Sequence, residues 1–431
     1  MIRKLSSAAM LLASAVAARS LQAQATPAVT YDAPSTGFTL PDAGQFSYSV
    51  TGSDQNYFGY NGVTSGSGAS TNAYAAQLGG TVAVVTESEA HPFTLLYGGG
   101  GLFFFSSVGR SDYYQSLDVS QAYRTETWNF LVDNVFRILQ DNPLGGVSGE
   151  AGAGDLGVGT AGGPDATGPL TANQTRYFES VSGNAQRSLT GRTSVVASGS
   201  YILLREPGAN SNYNSNGLEG SASLSHTYSA RDSLTGTYSH FRFNQPSLGQ
   251  TINSDNVTGT LEHTFSPRLV GLVTAGPQFL SYNASTGART SISYIAQGSL
   301  NYTREFSSFG LRFDHSTRST LLAGAASEYL TAGGSYSRRF GVYLHGSLSA
   351  SYLRTSSLPG IATGSYATQA AYIGSQVNRS LGAKWSTYIS YTFERQTVGG
   401  TPQGPAVLTG NRQILAVGVT FAPRPGSLRR H

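Results

Sequence analysis

The residues of this chain with the widest chemical repertoire are its seven histidines, His91, His226, His240, His263, His315, His345 and His431. One sits in a suggestive setting: Asp314-His315-Ser316 spells the three residue types of a nucleophilic triad. On a strand the spelling fails, because neighbours point to opposite faces and cannot align acid, base and nucleophile. No His-Glu-x-x-His pattern or paired-histidine spacing offers a metal site, and the absence of cysteine removes thiolate ligands and disulfides together. Gly152-Ala153-Gly154-Asp155-Leu156-Gly157 fits a dinucleotide-loop spelling. That chemistry needs a buried strand before the glycines and a helix after them, and the sequence supplies neither. The reading is therefore a chain with no catalytic residues, no cofactor and no metal: not an enzyme.

What must position any functional residue is a set of strands. From Trp385 to Phe393 the odd positions are Trp, Thr, Ile, Tyr and Phe, whereas the even positions from Lys384 to Glu394 are Lys, Ser, Tyr, Ser, Thr and Glu. Residues two apart share a strand face, so the segment has an oily side and a wet side. Leu218, Gly220, Ala222 and Leu224 alternate with Glu219, Ser221, Ser223 and Ser225; Ile292, Tyr294, Ala296, Gly298 and Leu300 alternate with Ser291, Ser293, Gln297 and Ser299. A run from Phe340 to Tyr352 reads the same way. Helical spacing would not sort these residues into two classes.

A water-soluble β-sandwich also alternates, but its solvent face is usually covered by Lys and Glu. Here charged residues are only 12% of the chain, Gly reaches 53 and Tyr 25, and the polar faces are mostly hydroxyls and glycine. Aromatics gather at strand ends, as at Tyr228, Phe265, Tyr302, Phe309, Tyr336, Phe340, Trp385 and Phe421, the depth at which rings meet lipid headgroups. Arg3 and Lys4, the uncharged run Leu5 to Ala18 and the small-residue site Ala23-Gln24-Ala25 form an export signal with cleavage after Ala25. Removing Arg3, Lys4 and Arg19 lowers the formal charge from +4 to +1, so a nucleic-acid partner finds no support. No later stretch is apolar enough for a spanning helix, which leaves closed strands as the way to cross a membrane.

Turn-forming clusters divide the chain into eighteen candidate strands, beginning near residues 43, 72, 91, 112, 127, 174, 191, 214, 231, 252, 267, 290, 307, 326, 339, 365, 382 and 411. Short links fall near 229–231, 266–267, 305–307, 338–339 and 380–382. Longer ones fall near 205–214, 244–252, 283–290, 315–327, 354–365 and 397–410. The expected fold is all-β: a transmembrane, antiparallel, up-and-down β-barrel of about eighteen strands. A signal peptide occupies 1–25, a periplasmic segment 26–42, the barrel 43–421 and a periplasmic tail 422–431.

Gln413-Ile414-Leu415-Ala416-Val417-Gly418-Val419-Thr420-Phe421 resembles the closing strand of bacterial outer-membrane proteins. The resemblance implies that Phe421 is the aromatic recognised by the barrel-assembly machinery; the departure is that Ala422 to His431 follow it. The chain as a whole resembles porin-like outer-membrane barrels, a group in which some members are associated with exopolysaccharide export. The partners so implied are outer-membrane lipid and lipopolysaccharide, with small solutes or polysaccharide in the lumen. The oligomeric state stays open, a homo-oligomer included.

An eighteen-stranded barrel is wide enough for water. The residues expected to line it are Asp133, Glu219, Glu262, Arg312, Asp314, Tyr343, His345, Lys384, Tyr388 and Glu394. The link at 140–172, the third at its end of the barrel, is rich in glycine, carries Glu150, Asp155 and Asp165 and has no basic residue. In porins, which this topology resembles, that loop folds inward and narrows the pore; folded so, these acids would favour cations, whereas the alternative, a mobile surface loop, would leave the channel unlined by them. The expected function is a pore for passive passage of small hydrophilic solutes, with sugars a candidate class. The alternatives are an exopolysaccharide exit and a non-conducting structural or surface barrel.

Overall fold

The period-two pattern becomes long strands because every backbone N–H and C=O in a lipid environment must find a partner, and a closed ladder supplies all of them. The computed structural model describes residues 41–60, 71–88, 90–105, 111–141, 174–205, 214–246, 249–284, 287–320, 325–358, 366–400 and 410–427. The signal-peptide reading at 1–25 and the acids Glu150, Asp155 and Asp165 lie outside them. The strands are β1 (Gln45–Tyr60), β2 (Thr71–Val85), β3 (Phe93–Phe104), β4 (Asp112–Arg124), β5 (Trp128–Asp141), β6 (Gln174–Ser188), β7 (Thr193–Arg205), β8 (Ser215–Thr227) and β9 (Asp232–Gln245). They continue as β10 (Gln250–Ser266), β11 (Leu269–Ala284), β12 (Gly287–Arg304), β13 (Ser307–Thr320), β14 (Ala325–Phe340), β15 (Leu344–Ser357), β16 (Tyr366–Ser380), β17 (Trp385–Gly400) and β18 (Gly410–Phe421).

Each strand pairs antiparallel with the next, and β1 closes the ring on β18, with Val50 opposite Phe421 and Phe58 opposite Gln413. The result is an antiparallel, up-and-down barrel of eighteen strands, with no helix among the described residues. A short β19 (Gly426–Ser427) lies against Gln45 and Phe46, so part of the C-terminal tail stays on the wall. The rim that carries Gln45 and Phe421 is called the near rim, the opposite one the far rim.

Near-rim turns are tight because Ser and Thr hydroxyls replace missing backbone partners. Ser229 Oγ accepts from the N–H groups of Arg231 and Asp232 at 3.0 Å each. Thr125 Oγ1 accepts from Trp128 N–H at 3.0 Å and Thr190 Oγ1 from Thr193 N–H at 3.0 Å. Two expectations change. The strand expected to start at residue 339 starts at Leu344, because Gly341 takes φ +80° and turns the chain directly after Phe340. The far-rim links expected to be long near 244–252, 283–290 and 315–327 are short, because β9 to β14 extend through the polar residues that read as loop.

The two faces of the wall are chemically opposite. Outside stand Tyr48, Val50, Leu78, Val82, Val132, Leu224, Val273, Leu348, Ile389 and Val417, all exposed. Inside, Ser47, Ser49, Thr51, Ser53 and Gln55 of β1 are buried, as are Thr237, Ser239, Ser254, Thr258 and Thr274 on the β9–β11 side. A surface apolar toward its surroundings and polar within is the pattern of a transmembrane barrel. The architecture is porin-like.

Candidate functional site

The inner wall is the candidate site, and its base layer is a belt of hydroxyls that satisfy one another across strands. Ser49 and Thr81 meet at 2.6 Å, Thr51 and Thr420 at 2.9 Å, Ser198 and Ser221 at 2.6 Å, and Thr260 and Thr274 at 2.8 Å. The Thr51–Thr420 contact fastens the closing seam between β1 and β18. Small residues keep the wall thin, and each remains able to exchange its partner for water.

Larger side chains lie along this belt. Tyr57 donates to Gln55 at 2.8 Å, Gln55 donates to Gln77, and Gln77 donates to the Tyr114 hydroxyl at 2.8 Å, a polar chain running from β1 across β2 to β4. Tyr388 lies over Gly418 on the adjacent strand, in the space a Cβ there would occupy. It is only 3% exposed, so its ring is a packing element of the wall and offers no open face for stacking a sugar.

The charged residues expected inside take the following places. Asp133 is on β5, a diagonal neighbour of Asp118 on β4, and Arg137 shares their face. Glu219 stands on β8 between Ser200 and Phe241 of the neighbouring strands. Glu262 stands on β10 between Ser233 and Leu272. Arg312 and Asp314 share the inner face of β13; Asp314 accepts from Gln297 Nε2 at 2.7 Å and from Ser316 Oγ at 3.1 Å. Glu394 is fully buried on β17, opposite Tyr372. His345 is on β15 near the near rim, between Arg339 and Asn378. Tyr343 and Lys384 sit exposed in near-rim turns. Asp314, His315 and Ser316 divide between faces: His315 Nε2 is 2.9 Å from Glu328, and its ring stacks on Tyr294 at 4.1 Å, away from Asp314 and Ser316.

Sequence reasoning missed Asp118 and Arg137. Their alternation is visible, but only the β4–β5 register, with Ser120 opposite Asp133 and Ser116 opposite Arg137, joins them to Asp133.

It also missed a step in the wall. The β12–β13 ladder ends at Ala296 opposite His315, while β13 continues on β14 to Thr320 opposite Ala325. Beyond this point β13 lies inside β12. Thr317, outward-facing by alternation, donates to the inward hydroxyl of Ser293 at 3.1 Å. Gln278 of β11 reaches under β12, donating to Thr317 C=O at 2.8 Å and accepting from Thr317 N–H at 2.9 Å. Asp314, His315, Ser316 and Thr317 are consecutively buried, as a strand covered on both faces must be. The Gln278 amide supplies the backbone bonds that β12 no longer gives. The overlap brings the β13–β14 end toward the axis.

No protein-family model matches the chain, and no curated protein matches it. Solved structures do. Pseudomonas aeruginosa OpdQ is 9% identical, with 88% of this chain and 97% of that chain covered and a TM-score of 0.42. P. aeruginosa OccK2 (OpdF) in complex with glucuronate is 10% identical over 88% and 98%, TM-score 0.44. Acinetobacter baumannii OccAB3 is 9% identical over 88% and 99%, TM-score 0.43. These are likenesses of general architecture; the pairing register of this chain is what establishes its barrel.

Proposed function

We propose that the chain is an outer-membrane pore through which small hydrophilic solutes pass down their gradients. The observation that carries this reading is a closed eighteen-strand ring lined by hydroxyls and amides. Strands ~4.8 Å apart and tilted by about 40° give a circular ring of eighteen a backbone diameter of roughly 35 Å. Side chains and the β12–β13 overlap narrow that opening.

Away from the rims, the described inner wall carries Asp118, Asp133, Glu219, Glu262, Asp314 and Glu394 against Arg137 and Arg312. This excess of carboxylates favours cations in the lumen. The short turns of the near rim suit the periplasmic side, with an export signal at 1–25 removed on the way. Phe421 faces outward there, 4.9 Å from Trp385 and 6.5 Å from Tyr48 between ring centroids, in the position of a closing-strand aromatic available to the assembly machinery. The loop acids Glu150, Asp155 and Asp165 are a further part of the proposed cation preference.

Liposome swelling with a graded series of neutral sugars and amino acids tests the reading. Swelling should slow steadily as solute size rises. Folded protein that admits none of them would end the pore reading.

A further inference from the structure

Six successive strands that descend to the near rim end in one spelling, an outward-facing base followed two residues later by a large apolar side chain. They are Arg187-Ser-Leu189, His226-Thr-Tyr228, His263-Thr-Phe265, Arg304-Glu-Phe306, Arg338-Arg-Phe340 and Arg379-Ser-Leu381, closing β6, β8, β10, β12, β14 and β16. Each apolar member is about half exposed. The four arginines are exposed as well.

The rings are held back against the outer wall, level with the bases. Phe265 lies where a Cβ on Gly271 would be 2.9 Å away, and Gly271 is the register partner of His263. Phe340 lies 3.1 Å from the same position on Gly346, the partner of Arg338. The bases touch the rings directly: the Arg338 guanidinium is 5.3 Å from the Phe340 centroid, Arg187 is 5.4 Å from Trp128, and the His263 and Phe265 rings are 4.4 Å apart. Two residues above Arg304 and Arg338, Tyr302, Phe309 and Tyr336 form one continuous aromatic row. The bases thus stand outside the barrel at ring depth, facing lipid.

Among the described residues the far rim shows no such run of one spelling. Histidines at both rims have carboxylate partners, His240 with Asp255 at 2.9 Å at the far rim and His263 with Asp232 at 2.6 Å at the near rim, so the four arginines carry the near-rim ring.

We propose that the near-rim ring is a binding collar for anionic phospholipid headgroups, each arginine contacting a lipid phosphate while the adjacent ring or leucine seats the glycerol and upper acyl chain. Cations near an anionic membrane surface gain about 1 kcal/mol each, so each site should enrich anionic lipid about fivefold over zwitterionic lipid. The aromatic neighbours and the outward facing favour lipid over a soluble acidic partner, which would meet charges pointing down from the turns.

The test is native mass spectrometry of the full chain released from nanodiscs of mixed phosphatidylglycerol and phosphatidylcholine. Wild type should retain phosphatidylglycerol preferentially. The variant R187Q/R304Q/R338Q/R379Q should lose that preference, and the corresponding fourfold Arg→Lys variant should keep it. A heat-dependent gel shift shows that each variant is a folded barrel; if the Gln variant does not fold, the single changes R304Q and R338Q should each lower retention in its place. Equal retention of both lipids by wild type, or unchanged preference in the folded Gln variants, would overturn the proposal, and a soluble acidic partner would give the first result.

Discussion

Ser349 and Ala350 are neighbours on β15 that face opposite solvents, and an arginine at each should separate them sharply. Ala350 is exposed on the outer face, and Ser349 lies on the inner face opposite Gly374. Ala350 is four residues above Gly346, the register partner of Arg338. At a rise of about 3.4 Å per residue and a tilt of about 40°, that is roughly 10 Å into an apolar band about 25 Å tall, close to the midplane. An arginine facing lipid at that depth costs about 2–4 kcal/mol, a factor of about thirty to a thousand in the folded-to-unfolded ratio. Ser349→Arg enters a polar, hydrated interior and should cost under about 1 kcal/mol. The assay is reversible urea unfolding in phosphatidylcholine vesicles, followed by the fluorescence of Trp128 and Trp385. The slope with denaturant should stay constant, so that the midpoint alone reports stability. If Ser349→Arg cost as much as Ala350→Arg, or Ala350→Arg cost nothing, the assignment of faces would be refuted.

Three further outcomes follow from the geometry. The closing register predicts that a disulfide forms readily in N56C/L415C and not in N56C/A416C, read by gel mobility in a chain that has no cysteine of its own; the reverse would mean the seam is shifted by one residue. Gln278→Ala strips Thr317 of both backbone bonds and should lower stability by about 1–3 kcal/mol, the cost of leaving buried backbone groups unpaired, with faster amide exchange at Thr317. A loss near zero would show that the wall overlap is held by other contacts. Glu219→Gln with Glu262→Gln should shift the reversal potential in a salt gradient toward zero by weakening cation preference, and a shift the other way would contradict the inner placement of these carboxylates.

Strand existence and facing were legible because period two is a local property written by each residue pair. Strand starts agree within a few residues almost everywhere, and β15 departs because Phe340, Val342 and Leu344 continue the parity of the strand through a turn set by Gly341. The outer extensions of β9 to β14 were hidden because Asn244, Gln245, Arg289 and Thr317 have loop-like chemistry. On a strand that rises above the lipid, the outer face is free to be polar. The Asp118–Asp133–Arg137 group and the Gln278–Thr317 bridge depend on which strands lie side by side and where a ladder stops, and no spacing within one strand encodes either. Tyr343 and Lys384 keep the expected parity but fall in turns, where alternation no longer fixes a face.

Single-channel recording of the purified chain in a planar bilayer bears most directly on the claim that the polar interior is a continuous water path. The account requires discrete, ohmic current steps in simple salt solutions, larger for cation flux than for anion flux. A correctly folded, inserted barrel that stays electrically silent at every voltage and salt concentration would contradict it.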